Sequence, residues 1–220
     1  MDNKKKKVRI FLIGFNKCGT RTLHKFFISN KIKSVHYDNG RIANSMWRHH
    51  QNKRLLIHTQ YKDVVFFSDM ENIYTPEGNL PIYIAPTLFK KLDRQYKNSK
   101  FILNTRTLNN WLESRIRHAN GNYLQFLCKK YDLSEDTLIQ KWIDDWNNHH
   151  KNVIEYFKNR SNDFLIYDIE KDSIEKIINF LEHDFYLNPK LYRKFGVTNK
   201  TTNDSKISEN YQKLIIKYCK

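Results

Sequence analysis

The segment from Gly14 to Leu23 holds the residues of this sequence best suited to bind a charged ligand. Gly14 and Gly19 have the G-x-x-x-x-G spacing of a phosphate-binding loop. An apolar run, residues 8–13, precedes the segment, and a helical pattern follows it. A strand, a tight turn and a helix start would gather free backbone N–H groups and the positive end of a helix dipole around one point. The sequence therefore predicts a phosphate site at this loop.

The residues around Gly19 differ from those of a loop that holds Mg²⁺ and a nucleoside triphosphate. Such a loop has lysine and then serine or threonine directly after its second glycine, for the terminal phosphates and the metal. Here Thr20 and Arg21 occupy those positions, and the lysine, Lys17, lies inside the loop. This pattern favours a 5′-phosphate that is held without a metal, with Lys17 close to a leaving oxygen.

A second pair of residues could bind another phosphate. Arg106 follows the apolar run 100–105, and Ser114 lies eight residues further along a predicted helix. A guanidinium group forks onto phosphate oxygens, and a serine hydroxyl adds a hydrogen bond. Because ligands of parallel sheets bind outside the carboxyl ends of the strands, we expect this pair near the Gly14 loop.

These two motifs resemble those of the sulfotransferases that use 3′-phosphoadenosine 5′-phosphosulfate (PAPS). The sequence KCGTRTL, residues 17–23, is similar to the Lys-x-Gly-Thr loop that binds the 5′-phosphosulfate in that family. Arg106 and Ser114 are similar to the family's contacts to the 3′-phosphate, although Arg106-Thr-Leu replaces the usual Arg-Asp-Pro. The resemblance implies PAPS as donor, 3′-phosphoadenosine 5′-phosphate (PAP) as product, and no metal. The cofactor-binding residues that it implies are Lys17, Cys18, Gly19, Thr20, Arg21, Thr22, Arg106 and Ser114.

Three shorter segments resemble the family more loosely. The segment 35–38 (VHYD) resembles one that supplies catalytic-site residues in glycan sulfotransferases, and 67–69 (FSD) resembles one in bacterial-type relatives. Residues 199–201 (NKT) resemble a segment that closes over the cofactor, which adds Lys200 to the cofactor-binding residues.

The implied mechanism assigns three catalytic residues. Lys17 neutralises the departing phosphate oxygen. His36 is the first choice for general base, because an unperturbed imidazole titrates near neutral pH. Asp69 is the reserve base, or the group that orients His36.

Apolar runs and helical patterns alternate along the chain and predict the elements that position these residues. Strands are predicted at 8–13, 32–37, 64–67, 100–105 and 164–167, and helices at 20–30, 41–51, 88–96, 108–118, 134–159, 173–182 and 210–218, with a long loop at 71–86. Parallel neighbours need crossover connections, so we predict an α/β fold, a three-layer sandwich with a mainly parallel sheet, similar to P-loop NTPases. With no repeat or linker, residues 1–220 are predicted to form a single domain, with 1–7 a flexible basic tail.

Composition excludes several classes of protein. Of the 220 residues, 40% are hydrophobic, which is enough for a core and argues against general disorder. No apolar run approaches the roughly 18 residues of a membrane span. Three widely spaced cysteines give neither a disulfide framework nor a zinc site. We therefore expect a soluble protein of a reducing compartment, the cytoplasm.

The formal charge of +16 has two interpretations. It favours an anionic partner, or it reflects an AT-rich genome, in which lysine and asparagine are abundant and alanine is rare. Two alternative functions remain open. One is a nucleotide-dependent kinase with Mg²⁺ held at the end of strand 64–69. The other is a non-catalytic basic module for nucleic acid or glycan, although no nucleic-acid motif is recognised.

The predicted function is transfer of a sulfuryl group from PAPS to a hydroxyl or amine acceptor. The acceptor is predicted to be a small molecule or a glycan, and no nucleic-acid partner is expected. The sequence leaves the identity of the acceptor and the oligomeric state open.

Overall fold

The computed structural model describes residues 7–195 and 208–219. Its strands are β1 (Ile10–Leu12), β2 (Ser34–His36), β3 (Phe66–Ser68), β4 (Glu71–Asn72), β5 (Ile82–Tyr83), β6 (Lys100–Thr105) and β7 (Phe164–Asp168). Its α-helices are α1 (Thr20–Ser29), α2 (Arg41–Gln51), α3 (Ile84–Gln95), α4 (Leu108–Ile116), α5 (Asn122–Tyr131), α6 (Glu135–Phe157), α7 (Glu175–Leu181) and α8 (Glu209–Cys219).

Five parallel strands form the central sheet in the order β2-β3-β1-β6-β7. The connection from β1 leads to β2 on one side, and the connection from β6 leads to β7 on the other. The crevice outside the carboxyl ends of β1 and β6 is therefore the point where ligands bind in sheets of this kind. The predicted α/β class and mainly parallel sheet are confirmed.

Both faces of the sheet are covered, which explains the nearly continuous apolar sequence of β1. Phe11 and Ile13 pack with α2, α3 and part of α6, whereas Ile10 and Leu12 pack with α1 and α7 on the opposite face. A third apolar cluster joins α4, α5, α6 and α8 around Trp111. The third cluster includes Phe15 and Cys18, which follow β1, so it packs these helices against the carboxyl edge of the sheet.

Two sequence predictions need correction. The predicted loop at 71–86 contains the antiparallel hairpin β4–β5, and α3 begins at Ile84 rather than at Leu88. Pro86 lies in the first turn of α3, where a missing N–H leaves no helical hydrogen bond unmade. Helix α5 was not predicted, because Asn120-Gly-Asn122 indicates a break in the chain, whereas the helix begins directly after Gly121.

Other elements agree with the sequence to within a few residues. In α6, Ser134 caps the helix by accepting a 3.2 Å hydrogen bond from the N–H of Thr137. Among residues 7–195 and 208–219, no helix combines the length and the apolar character needed to cross a membrane.

Candidate functional site

The loop after β1 is fastened by a buried asparagine of β6. The side chain of Asn104 accepts a 2.8 Å hydrogen bond from the N–H of Gly14. Its amide nitrogen donates to the carbonyl groups of Phe15, at 3.3 Å, and Cys18, at 3.0 Å. A Cβ atom on Gly14 would lie 1.9 Å from the Asn104 carbonyl oxygen, so only glycine allows this close approach.

Two more carbonyl groups of the loop accept hydrogen bonds from side chains that lie outside the loop. Trp111 Nε1 donates to the Asn16 carbonyl at 3.0 Å, and Arg106 donates to the Lys17 carbonyl at 3.3 Å. Gly19 precedes α1 with a φ of 73° and provides no side-chain cap. The first N–H groups of α1 have no hydrogen-bond acceptor among the described residues. Free N–H groups at a helix start, beside carbonyls that are already hydrogen-bonded to the protein, suit an anionic ligand.

The predicted cofactor-binding residues of this segment lie around that helix start, but their environments differ. Cys18 is buried, and burial raises the pKa of its thiol, so it acts as a packing residue. The Thr22 hydroxyl donates to the Phe195 carbonyl and accepts from the Phe195 N–H, both at 3.0 Å. Thr20 is buried, whereas Arg21 is exposed.

Lys17 extends from the loop toward a cluster of ionisable groups. Its Nζ donates to Nδ1 of His118 over 3.3 Å. Burial lowers the pKa of Lys17, an effect opposed by the carboxylate of Asp69 and reinforced by Arg106. Burial, and then the charge of Lys17, lower the pKa of His118. Lys17 is therefore a partly desolvated cation beside a neutral imidazole.

Two carboxyl groups face this cation, and the sequence predicted only one of them. Asp69 follows β3, and Glu71 lies two residues further, in β4. Burial raises the pKa of both groups, and in Asp69 the charge of Glu71 raises it further. The Glu71 carboxylate accepts a 2.7 Å hydrogen bond from Asn16, whereas Asp69 Oδ1 is buried without a partner among the described residues. The nearness of Glu71 to Asp69 in the sequence was the available signal for this second carboxyl group.

His36 lies next to Asp69, as the sequence predicted for the ends of β2 and β3. Its Nε2 is 3.7 Å from Asp69 Oδ2, and its Nδ1 is 3.3 Å from the Ser68 hydroxyl. The ring stacks on His24 at 5.3 Å. Burial lowers the pKa of His36 to about 4, with smaller contributions from His24 and Arg21. His36 is therefore neutral at pH 7 and a weaker base than an exposed histidine.

We expect this neutral imidazole to make stability depend on pH. The unfolded chain binds a proton at His36 near pH 6.5, but the folded protein does so only near 4. The contribution to the unfolding free energy is therefore complete above pH 6.5 and falls, by about 3 kcal/mol in total, as the pH drops to 4. Urea unfolding at several pH values would measure the slope. His36→Gln should reduce it, whereas His183→Gln, at an exposed position, should not. An unchanged slope in His36→Gln would contradict the expected pKa.

Unusual backbone conformations mark the same edge of the sheet. Lys17, Tyr37, Asp38, Asn39 and Asp69 follow β1, β2 or β3, and all have φ between 48° and 64°. Tyr37 has ψ of −53°, a combination that non-glycine residues rarely adopt. Such conformations persist where the surrounding structure enforces them, and they concentrate at functional sites.

The predicted second phosphate pair is arranged differently from expectation. Arg106 donates from two nitrogens to one carboxylate oxygen of Glu170, at 3.0 and 2.7 Å. The other oxygen accepts from the N–H and the hydroxyl of Thr107, both at 3.0 Å, and Asn110 donates at 2.9 Å to the oxygen that Arg106 binds. Glu170 thus occupies the donors at the start of α4 that a phosphate would use.

Ser114, the other predicted contact to the 3′-phosphate, does not join this group. Ser114 is half-buried on α4, and no hydrogen bond links it to Arg106 within the described chain. Lys200 lies outside the described residues.

Comparison with known proteins leaves the geometry to carry the functional argument. No family model matches the chain, and no curated protein matches it. Over the described residues, no group of three or more His, Cys, Asp or Glu side chains is arranged to hold a metal ion.

Proposed function

We propose that the protein is a PAPS-dependent sulfotransferase with a P-loop-like fold. One observation carries the proposal: buried side chains of β6 and α4 bind the carbonyls of the loop after β1, and its lysine, Lys17, faces a carboxyl cluster, with no lysine after Gly19. Such a site suits a phosphate whose bridging oxygen becomes charged when it leaves. The sheet order, with β1 central, supports a ligand at the same edge.

Asp69 is the better candidate for general base in this arrangement, and His36 lies beside it. Burial raises the basicity of the Asp69 carboxylate and lowers that of the His36 imidazole. In the proposed step the acceptor oxygen or nitrogen forms a bond to sulfur, the bond from sulfur to the phosphate oxygen breaks, and Asp69 takes the acceptor proton. Lys17 stabilises the charge on the oxygen that departs with PAP. A glycan, a small alcohol or an amine can supply the acceptor.

The assignment of the base predicts different pH profiles for two variants. We expect Asp69→Asn to lower PAP release from PAPS roughly 10²–10⁴-fold, and to remove the acid limb of the profile. His36→Gln should lower the rate less and keep that limb. The rate would be measured with one hydroxyl acceptor for all variants. The reverse ranking would identify His36 as the base.

A kinase remains the alternative, because Asp69 follows β3, the neighbour of the central strand. That position suits a carboxylate that holds Mg²⁺ and a triphosphate. Against this, Thr20 and Arg21 stand where the triphosphate-binding lysine and hydroxyl would be required.

Calorimetric titration with PAP in the absence of Mg²⁺ tests the donor site. We expect roughly micromolar affinity, a Kd that weakens at least tenfold in Lys17→Ala and in Arg106→Ala, and weaker binding of ATP. Lys25→Ala, an exposed lysine of α1, is the matched control and should bind normally. Absence of PAP binding, or preference for Mg·ATP, would refute the proposal and favour the kinase.

Glu170 provides a separate prediction about the 3′-phosphate. If its carboxylate competes with that phosphate for Arg106, then Glu170→Gln should bind PAP about tenfold more tightly, because the amide keeps the shape without the charge. Adenosine 5′-phosphate, which lacks the 3′-phosphate, should show no gain. Glu182→Gln, at an exposed position, controls for the loss of charge. Weaker PAP binding in Glu170→Gln would show instead that Glu170 orients Arg106.

A further inference from the structure

A cavity of about 280 Å³ borders Phe15 of the loop after β1, and no role in the proposed transfer requires it. The first residues of α3, the middle of α6 and the loop residue Phe15 form its walls. Aromatic side chains supply much of this lining, from Phe15, Tyr83, Tyr131 and Trp142. Walls of this kind favour a flat, apolar ring.

One buried cation also lines the cavity. Arg115 is 2% exposed, and its guanidinium carbon lies 4.3 Å from the centre of the Trp142 ring. One nitrogen donates to the Tyr123 hydroxyl at 2.8 Å, but Nε is buried with no partner in the part of the chain described. No carboxylate of the described residues forms an ion pair with Arg115, and Glu71 attracts the guanidinium only from beyond ion-pair distance. A buried guanidinium gains from a carboxylate in direct contact, so a ligand that brings such a counter-charge would be favoured.

The other ionisable groups of the lining do not supply that counter-charge. Lys141 and Asp145 pair with each other at 2.9 Å. His149 donates from Nε2 to the Ile13 carbonyl at 2.6 Å, and burial lowers its pKa to about 4, so the ring is neutral. Among the lining residues, the guanidinium of Arg115 is therefore left without a carboxylate in contact. Cations are disfavoured there, and a neutral ligand would not supply that contact.

We propose that this cavity binds a small planar aromatic carboxylate. The ring would pack against Phe15 and Trp142, and the carboxylate would accept hydrogen bonds from Arg115. Size allows this, because an apolar cavity of roughly 150 Å³ accommodates benzene. The proposal does not depend on the sulfotransferase assignment, since none of these residues binds the donor in that scheme.

Binding of benzoate to the full chain, measured by calorimetry, tests the proposal. Benzamide has nearly the same shape without the charge and should bind at least tenfold more weakly. Cyclohexanecarboxylate keeps the charge without the flat ring and should also bind more weakly. Equal affinities for benzoate and benzamide, or no benzoate binding at millimolar concentration, would overturn the proposal.

Two adjacent positions of α6 provide matched variants. Asn148 lines the cavity and Asn147 does not, although both are exposed. Asn148→Trp should fill the opening and abolish benzoate binding, whereas Asn147→Trp should retain it. Because both substitutions lie on the surface, thermal unfolding should show that both proteins fold. Retained binding in Asn148→Trp would place benzoate elsewhere and refute the proposed site.

Saturation with PAP separates this cavity from the phosphate loop. If benzoate occupies the cavity, its affinity should persist in the presence of PAP. If PAP displaces benzoate competitively, the carboxylate occupies the phosphate loop and the cavity proposal fails. A protein that binds benzoate but not PAP would keep this proposal and refute the sulfotransferase assignment.

Discussion

Lys17→Ala is expected to lower the rate of PAP release from PAPS by roughly 10²–10³-fold, the usual effect of removing one group that stabilises a developing negative charge. The reason is electrostatic: Lys17 is the partly desolvated cation at the loop, and it faces Asp69. Without it the pKa of Asp69 should rise further, because Lys17 now opposes that rise. The acid limb of the pH–rate profile should therefore shift to higher pH.

Two controls separate this catalytic effect from a structural one. Lys25→Ala removes an exposed lysine from α1 and should keep the full rate. Lys17→Arg keeps the charge and should recover part of the rate, although a guanidinium is larger and carries its charge differently. A Lys17→Ala protein with a normal rate would show that this lysine does not contact the leaving oxygen.

Asn104→Ala is expected to reduce the unfolding free energy by about 3–5 kcal/mol, the largest stability effect predicted for the site. The side chain is buried and makes three hydrogen bonds to the loop. Its removal leaves the Gly14 N–H and the carbonyls of Phe15 and Cys18 without partners. We also expect weaker PAP binding, because the carbonyls of Phe15 and Cys18 would no longer be held by Asn104.

Urea unfolding would measure this change, with Asn109→Ala, on the exposed side of α4, as the matched control. Asn104→Asp gives a second test, because an aspartate can still accept from the Gly14 N–H but places a negative charge beside two carbonyl oxygens. It should be at least as destabilising as alanine. If Asn104→Ala unfolds like the native protein, the loop does not depend on this side chain.

Local patterns were sufficient to predict the loop and the alternation of strands and helices. The buried run at β1, the two glycines and the helical pattern of α1 are all contiguous in sequence, so periodicity and spacing identify them. The neighbourhood of His36 and Asp69 was predictable for a similar reason: His36 ends one strand of a parallel sheet, and Asp69 follows another.

The residues that fasten the loop were not predictable in this way. Asn104 reaches Gly14 because β6 pairs with β1 in one particular register, in which Leu12 lies opposite Ile102. A sequence does not reveal register between strands separated by about 90 positions. Glu170 likewise meets Arg106 only because β7 is the neighbour of β6.

The left-handed residues at the carboxyl ends of β1, β2 and β3 matter to anyone who engineers this protein for heat resistance. Glycine adopts their backbone angles without strain, so a screen that scores melting temperature alone would reward glycine at Tyr37, Asn39 or Asp69. Those increases in melting temperature would come from positions at the candidate functional site. Heat-resistant variants chosen without a binding assay would therefore tend to be well folded and inert.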